Sequence, residues 1–390
     1  MQVHSVITPF TETLAPTYLV MKTSMRKVER LISGLQCYSI GVYQVDNLIQ
    51  RYAAFSCQIW QDTATTRQEV LKNVDRICKA VDLVSASPFS GGGAFPTKLI
   101  CFPEYAITGY TLERIGDAKR GVGDSIPGEC TDRISEKAKQ YKCYIQPGSM
   151  YEIHPEFPNT CFNSAPLISP EGKVLINYRK VNPFLPGEIC ASPHDFLEAG
   201  FKEPLWPVAK TEIGNIGIYN CYDGMHPEPA RQLALNGAEI LICPALIDSP
   251  NAVPPWDIWD VRCRYHSFTN MAYGVNTNGT SQGQGVPPAQ GGSNICDYEG
   301  RVLSRAATGT GDDYIFAYLD IRALREYRKN ALTHNHLALY RGDAYDYYKT
   351  SMQKNLAIKD DPTWDEKKCI ARVRQIVHDF YEKYYEDAVK

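Results

Sequence analysis

Three reactive side chains stand directly after apolar stretches that are typical of buried strands. Glu104 follows KLICFP, Lys180 follows VLINYR, and Cys221 follows NIGIYN. A carboxylate can accept a thiol proton, a thiolate can attack a carbonyl carbon, and an ammonium can stabilise the oxyanion that develops. The carboxyl ends of sheet strands are where such groups point into a crevice. The set therefore predicts acyl transfer through a thioester.

Each of these residues also has a structural interpretation. Cys221 is one of 13 cysteines, and a cysteine is more often a small buried hydrophobe than a nucleophile. Glu104 can cap a loop, and Lys180 next to Arg179 can be one of two solvated cations. However, the polar segment YDGMHPE follows Cys221 and predicts a turn into a helix, which places backbone amides beside the sulfur. We therefore favour catalysis for the combination.

The elements that must position these side chains alternate along the chain. YAAFSCQIW and TKLICFPEY are typical of buried strands, and the apolar spacing in residues 65–84 predicts a helix between them. KCYIQPGSMYE predicts one strand, and CFNSAPLIS and KVLINYRK predict a hairpin. Residues 256–270 predict a helix before the strand AYGVNTNG. The mixture predicts a mixed α/β (α+β) fold with helices on the outer faces of its sheets.

Composition narrows the classes of function. The chain has 390 residues, 44% of them hydrophobic and 22% charged, with a mean hydropathy of -0.33, which is typical of a globular protein. A net charge of -3 offers no broad attraction to nucleic acid or to an anionic membrane. No C-x-x-C pair occurs, and no apolar run approaches the roughly 20 residues that span a bilayer. We expect a cytoplasmic protein with a small-molecule partner and no disulfide framework.

Three ordered blocks resemble the nitrilase, or carbon-nitrogen hydrolase, superfamily. They are Phe102-Pro103-Glu104, Asn177-Tyr178-Arg179-Lys180 and the segment from Asn220 to Arg231. The resemblance spans residues 52–320 and implies a four-layer α-β-β-α sandwich, a Glu-Lys-Cys catalytic set and homo-oligomeric assembly through paired sandwiches.

The resemblance also suggests how the chain is divided. We predict an N-terminal extension at residues 1–50 and a carbon-nitrogen hydrolase domain at residues 51–322. A C-terminal tail at residues 323–390 is expected to pack on the domain or on a neighbouring subunit. The extension is less favoured as a targeting segment, because Glu12 and Glu29 interrupt its basic residues.

Within the superfamily, the sequence resembles the aliphatic amidase and formamidase branch. Glu188, eight residues after Lys180, resembles a second glutamate that positions substrate and assists the lysine in those enzymes. Cys221-Tyr222-Asp223-Gly224 is similar to their Cys-Asp-Asp-Gly, although Tyr222 replaces an aspartate, and the Trp-Glu typical of true nitrilases is lacking. Asn335-His336-Leu337 resembles part of their tail. We predict hydrolysis of a small linear amide, with an N-carbamoyl amide hydrolase, a nitrilase and a non-catalytic scaffold as successively weaker alternatives.

Residues beside these blocks are candidates for contact with substrate. Tyr222 and His226 adjoin the cysteine and, with Tyr110, form the predicted substrate-binding set, although His226 can equally cap a helix. Arg262 and Arg264 are expected to form structural ion pairs.

Neither a cofactor nor a metal is predicted. The glycines of SQGQGVPPAQGG resemble a phosphate-binding loop, but Pro287-Pro288 stand where a helix should begin. His334 and His336 alternate along the chain, so on a strand they would face opposite sides.

Overall fold

A computed structural model describes the chain from Arg51 onwards, with gaps. The described residues are 51–86, 95–110, 121–158, 160–185, 187–188, 190–247, 257–281, 289–309, 311–331, 333–345, 367–368, 370–375 and 378. The predicted extension at residues 1–50 and the middle of the glycine-rich loop at residues 282–288 lie outside this part of the chain.

Two mixed sheets contain the strands of the described residues. The first sheet comprises β1 (Arg51–Gln58), β2 (Thr97–Cys101), β3 (Tyr144–Gln146), β4 (Met150–Glu152), β5 (Phe162–Ile168), β6 (Val174–Arg179) and β13 (Asp313–Asp320). The second comprises β7 (Val208–Ala209), β8 (Ile216–Ile218), β9 (Ile240–Ala245), β10 (Tyr273–Asn278), β11 (Asn294–Cys296) and β12 (Val302–Arg305). The strand orders are β13-β1-β2-β3-β5-β4, with β6 paired to β5, and β12-β11-β10-β9-β8-β7. Parallel pairs join β1-β2-β3 and β8-β9-β10, while hairpins such as β5-β6 are antiparallel.

Helices cover the outer face of each sheet. They are α1 (Arg67–Ala86), α2 (Glu129–Tyr141), α3 (Pro227–Leu235) and α4 (Ile258–Thr269). A further helix, α5 (Ile321–Asn330), packs Ile321 and Leu324 into the apolar cluster between the sheets. The buried residues of α1 recur every three or four positions, from Val70 through Val74 and Ile77 to Val81, which is the spacing of one helix face. This face packs with α2 on the first sheet. Helices α3 and α4 pack on the second sheet.

Strand β1 shows how the layers form. Ala54 belongs to the apolar cluster between the two sheets, whereas its neighbours Ala53 and Phe55 belong to the cluster under α1 and α2. Successive side chains of a strand point to opposite faces, so a strand buried on both sides reads as a continuous apolar run. The predicted four-layer α-β-β-α sandwich is thereby confirmed.

The segment predicted as a single strand, KCYIQPGSMYE, forms two strands instead. Strands β3 and β4 are separated by Pro147, Gly148 and Ser149. Gly148 has a φ of 85°, and a Cβ on it would lie 2.1 Å from the Pro103 carbonyl oxygen. Ser149 Oγ accepts a hydrogen bond from the Tyr105 N–H at 2.9 Å. The break therefore lets the backbone pack closely against the loop that contains Glu104.

The described part of the tail lies against its own chain. Arg231 of α3 donates a hydrogen bond to the His336 carbonyl at 3.0 Å, and the Asn335 amide donates to the Arg328 carbonyl of α5 at 2.9 Å. Near the end of the tail, residues 370–375 are helical. Among the described residues, no helix is long and apolar enough to cross a membrane.

Candidate active site

The structure brings together the three reactive side chains that the sequence singled out. Glu104 follows β2, Lys180 follows β6, and Cys221 begins the 3-10 turn Cys221–Met225 after β8. Lys180 Nζ lies 2.8 Å from Glu104 Oε1, and the Cys221 thiol and the Glu104 carboxyl group are close enough that each shifts the pKa of the other. All three side chains are buried. The two sheets therefore each contribute to one compact cluster.

Glu188 joins the same cluster from the loop after β6. Its Oε2 accepts a hydrogen bond from Lys180 Nζ at 2.7 Å, and its Oε1 accepts one from the Tyr105 hydroxyl at 2.6 Å. The Phe184 N–H donates to Oε2 as well. Lys180 thus lies between two buried carboxyl groups.

Asn163 connects the parts of the cluster, and the sequence reasoning missed it. Its Nδ2 donates to Glu104 Oε1 at 2.8 Å and to Glu188 Oε1 at 2.9 Å. Its Oδ1 accepts from the Asn220 amide at 2.9 Å, next to Cys221. The signal was an amide within the apolar stretch CFNSAPLIS, because a buried amide needs hydrogen-bond partners inside the fold.

The two glutamates have opposite pKa shifts. Burial raises the pKa of Glu104, and Glu188 raises it further, against the opposing effect of Lys180. Burial also acts to raise the pKa of Glu188, but Lys180 and the hydrogen bonds from Tyr105 and Phe184 outweigh it and lower this pKa. Burial acts to lower the pKa of Lys180, but the two carboxyl groups hold it well above its usual value. Glu188 is therefore suited to remain a carboxylate, and Glu104 to exchange a proton.

Cys221 occupies a strained backbone position. Its φ is 51°, in the left-handed region, which costs an L-residue about 1–2 kcal/mol. Asp223, two residues on, accepts hydrogen bonds from the Asn220 N–H at 2.9 Å and from the Tyr178 hydroxyl at 2.6 Å. These bonds fix the turn, which resembles the strand-to-helix elbow of other nucleophiles. Burial and Glu104 raise the pKa of Cys221, against the opposing effects of Lys180 and Arg262.

The predicted substrate-binding residues lie around the cluster. The Tyr110 hydroxyl donates to the Gly187 carbonyl, beside Glu188. The Tyr222 ring lies between the rings of Phe184, at 5.2 Å, and His226, at 5.4 Å. His226 is half-buried and precedes α3. These positions adjoin the reactive side chains, and contact with substrate stays a prediction.

The two arginines of α4 differ from the ion-pair prediction. Arg262 Nη1 donates to the Cys221 carbonyl at 2.8 Å, and Arg264 Nε donates to the Gly300 carbonyl at 2.9 Å. Backbone carbonyls take the place of the expected carboxylates because the 3-10 turn and the β11-β12 loop pack against this helix. Within the described ranges, no group of three or more His, Cys, Asp or Glu residues is arranged to hold a metal ion.

Comparison with known proteins agrees with this architecture. The sequence model of the carbon-nitrogen hydrolase family matches residues 51–329. An omega-amidase NIT2 of Xenopus tropicalis is 25% identical over 294 residues, which cover 73% of this chain and 94% of the relative. A formamidase of Bacillus cereus is 28% identical over 241 residues, covering 61% and 65%. The structure of Saccharomyces cerevisiae Nit3, described as a member of the nitrilase superfamily, matches with a TM-score of 0.61 at 20% identity, covering 77% of this chain and 99% of Nit3.

The two-sheet fold and the family model over residues 51–329 together define the class of enzyme as a carbon-nitrogen hydrolase. The chain belongs to the carbon-nitrogen hydrolase family.

Proposed function

We propose that this chain hydrolyses a small linear amide to a carboxylic acid and ammonia through a thioester on Cys221. The observation that supports this best is the buried cluster in which Lys180 Nζ donates to Glu104 at 2.8 Å and both groups act on the pKa of the Cys221 thiol. A thiol, a base of raised proton affinity and a fixed cation are the parts that acyl transfer requires.

The proposed reaction begins when Glu104 takes the proton of Cys221 and the thiolate attacks the amide carbon. Lys180 Nζ and the Tyr222 N–H stabilise the oxyanion, and losing one such donor typically costs about 3 kcal/mol. Glu104 returns its proton to the nitrogen, the carbon–nitrogen bond breaks, and ammonia leaves. A water molecule then gives a proton to Glu104 and attacks the thioester carbon. The carbon–sulfur bond breaks, the acid leaves, and Glu104 returns the proton to the Cys221 sulfur. Glu188 holds Lys180 charged and in place throughout.

Cys221→Ala is the first test of this proposal. Turnover should fall by at least about a thousandfold, measured as ammonia release, while the circular dichroism spectrum and melting temperature remain close to those of the unmodified protein. Cys130→Ala, which removes a buried thiol of the outer helix α2, is the matched control and should keep most of the rate. Near-normal turnover by Cys221→Ala would end the proposal.

A substrate panel distinguishes the alternatives. The similarity to proteins named omega-amidase and formamidase makes formamide and an ω-amide the first compounds to assay, followed by N-carbamoyl amino acids and nitriles. Mass spectrometry should detect an acyl adduct on Cys221 with the preferred compound. Preferred turnover of N-carbamoyl compounds or nitriles would replace the amidase assignment, and a persistent lack of adduct would favour a scaffold.

Helix α4 supports the predicted homo-oligomer. Its exposed apolar residues are spaced by three or four positions along one face and are Ile258, Val261, Tyr265 and Phe268. An apolar row on a surface helix is typical of an interface. Val261→Glu should lower the oligomer mass in sedimentation velocity, whereas Leu83→Glu on α1, at an equally exposed site, should not. An unchanged mass in Val261→Glu would place any interface elsewhere.

A further inference from the structure

Arg262 is a buried cation without a carboxylate partner in the described part of the chain. The side chain is 7% exposed. Its Nη1 donates to the Cys221 carbonyl at 2.8 Å, its Nη2 lies 3.9 Å from Cys243 Sγ, and its guanidinium lies 4.6 Å from the centre of the Trp259 ring. A buried charge is costly unless polar groups compensate it. The carbonyl of the proposed nucleophile is the closest of these partners.

His266 holds the same turn one helical turn further along α4. Its Nε2 lies 2.8 Å from the Gly224 carbonyl oxygen, and because a carbonyl only accepts, Nε2 bears the hydrogen. Burial lowers the pKa of His266 to about 4, with a smaller lowering effect of Arg262, so the ring is neutral at pH 7. Positions i and i+4 of a helix share a face. Helix α4 therefore binds one carbonyl near each end of the 3-10 turn.

The space around Gly224 supports a close fit between this turn and Arg262. A Cβ on Gly224 would lie 3.3 Å from Arg262 Nη1 and 2.8 Å from Tyr219 Cε2. Any side chain at position 224 must therefore displace the guanidinium or the Tyr219 ring. This gives a way to disturb the contact without removing a charge.

We propose that Arg262 and His266 are positioning residues that hold Cys221 in its strained conformation, and that the charge of Arg262 also favours the thiolate. The inference rests on the proposed role of Cys221 as nucleophile. Two bonds from one rigid helix fix the carbonyls of the turn, so the sulfur keeps its direction toward Glu104. The charged groups that face Cys221 are Glu104 and Lys180 from the first sheet and Arg262 from α4. Removing Arg262 leaves Lys180 as the cation of this set.

The test compares Arg262→Met, Arg262→Lys and the control Arg264→Met. Arg264 lies on the same helix and also donates to a backbone carbonyl, but at the β11-β12 loop. Two quantities are measured: kcat and KM for ammonia release, and the rate of Cys221 alkylation by iodoacetamide against pH, read by mass spectrometry of the Cys221 peptide. Since the thiolate is the form that reacts, the alkylation midpoint reports its stabilisation without any substrate.

We expect Arg262→Met to lower kcat on the order of tenfold to a hundredfold with little change in KM, and to move the alkylation midpoint to higher pH. Arg262→Lys should return the midpoint toward that of the unmodified protein but restore kcat only in part, because an ammonium lacks the fixed guanidinium geometry. Arg264→Met should change neither quantity. A normal kcat and midpoint in Arg262→Met would overturn the proposal, and so would a lowered kcat with an unmoved midpoint that Arg262→Lys does not rescue.

Gly224→Ala and His266→Gln keep the proposal testable if Arg262→Met does not fold. Both should lower kcat with little change in KM, because each disturbs the contact between helix α4 and the turn that bears Cys221. Normal kinetics in both would overturn the inference. If Cys221→Ala retains turnover, the proposed function fails; if that variant is inactive but these variants behave normally, only the positioning role fails.

Discussion

The two sheets hold their parts of the candidate site by different kinds of interaction. On the first sheet, charges bind charges: Lys180 lies 2.8 Å from Glu104 and 2.7 Å from Glu188. On the second sheet, charged groups bind the backbone: Arg262 donates to the Cys221 carbonyl, and Asp223 accepts from the Asn220 N–H. The first arrangement sets proton affinities, because each charge shifts the pKa of its neighbours. The second sets direction, because it fixes the backbone that bears the sulfur.

An amide pair joins these two halves. The Asn220 amide on the second sheet donates to Asn163 on the first, and Asn163 donates in turn to both glutamates. Both amide hydrogens of Asn163 are therefore donated to the carboxyl groups, and its amide oxygen accepts a hydrogen bond from Asn220, next to Cys221. The charge cluster and the turn are thus connected by uncharged groups that do not compete for the proton.

Lys180→Met should have the largest effect, because it removes the cation from the charge-paired half. Two buried carboxyl groups would then face each other, and losing one partner of a buried ion pair typically costs about 3–5 kcal/mol of stability. We expect a clear drop in melting temperature and no measurable ammonia release. Lys173→Met, an exposed lysine just before β6, is the control. A stable, active Lys180→Met would show that the cluster is not held by charge.

Glu104→Gln and Glu188→Gln separate the two roles within the charged half. Glu104→Gln removes the proposed base and should lower kcat by about a hundredfold to ten-thousandfold. Glu188→Gln removes a carboxylate that holds Lys180 but takes no proton in the proposed reaction, and should lower kcat on the order of tenfold to a hundredfold without changing assembly. The acid limb of kcat/KM should persist in Glu188→Gln, since Glu104 must be unprotonated to accept the thiol proton. Equal losses in the two variants would contradict this division.

The charge-paired half was largely predictable from the sequence. Glu104 and Lys180 each follow an apolar strand, as does Cys221 on the other sheet, and strand ends converge in a layered α/β fold. Glu188 entered through its spacing from Lys180. The order of the strands and the family resemblance are sufficient to predict that these side chains lie together, so short blocks of sequence could identify them.

The backbone-binding half was not predictable in the same way. Arg262 lies 41 residues from Cys221 along the chain. The residues next to Arg262 in the sequence do not indicate that its guanidinium donates to a backbone carbonyl. The same holds for the break at Gly148, since its close contact with Pro103 appears only when two loops are packed. The charge of a side chain predicts that its partner carries the opposite charge. A contact with a backbone carbonyl is not predictable in this way, because it depends on tertiary packing.

Asp223→Asn tests the backbone-binding half directly. The Asp223 carboxyl group accepts four hydrogen bonds, from the Tyr178 hydroxyl, the Asn220 N–H, and the N–H and side-chain amide of Asn182. An asparagine presents an NH₂ group to donors on one side, which leaves buried donors unsatisfied and typically costs about 3 kcal/mol. We expect a lower melting temperature and slower alkylation of Cys221 at all pH values. Asp132→Asn, an exposed aspartate of α2, should change neither.

The smallest effect concerns pH and separates His266 from the charged half. Because burial lowers the pKa of His266 to about 4, whereas an unfolded histidine titrates near 6.5, the unfolded state binds a proton first as the pH falls. The contribution of this residue to stability is therefore complete above about pH 6.5 and is lost progressively toward pH 4, amounting to about 2 kcal/mol between pH 7 and pH 5.

His266→Gln should reduce this dependence while leaving the charge-paired half intact. Urea unfolding at pH 7 and at pH 5 measures the change, and the fall in unfolding free energy should be smaller in His266→Gln than in the unmodified protein by about 2 kcal/mol. His334→Gln removes an exposed histidine of the tail and serves as the control, with the same dependence as the unmodified protein. If His266→Gln keeps the full dependence, the acid sensitivity arises in the carboxyl cluster of the first sheet, and the two halves are not separable by pH.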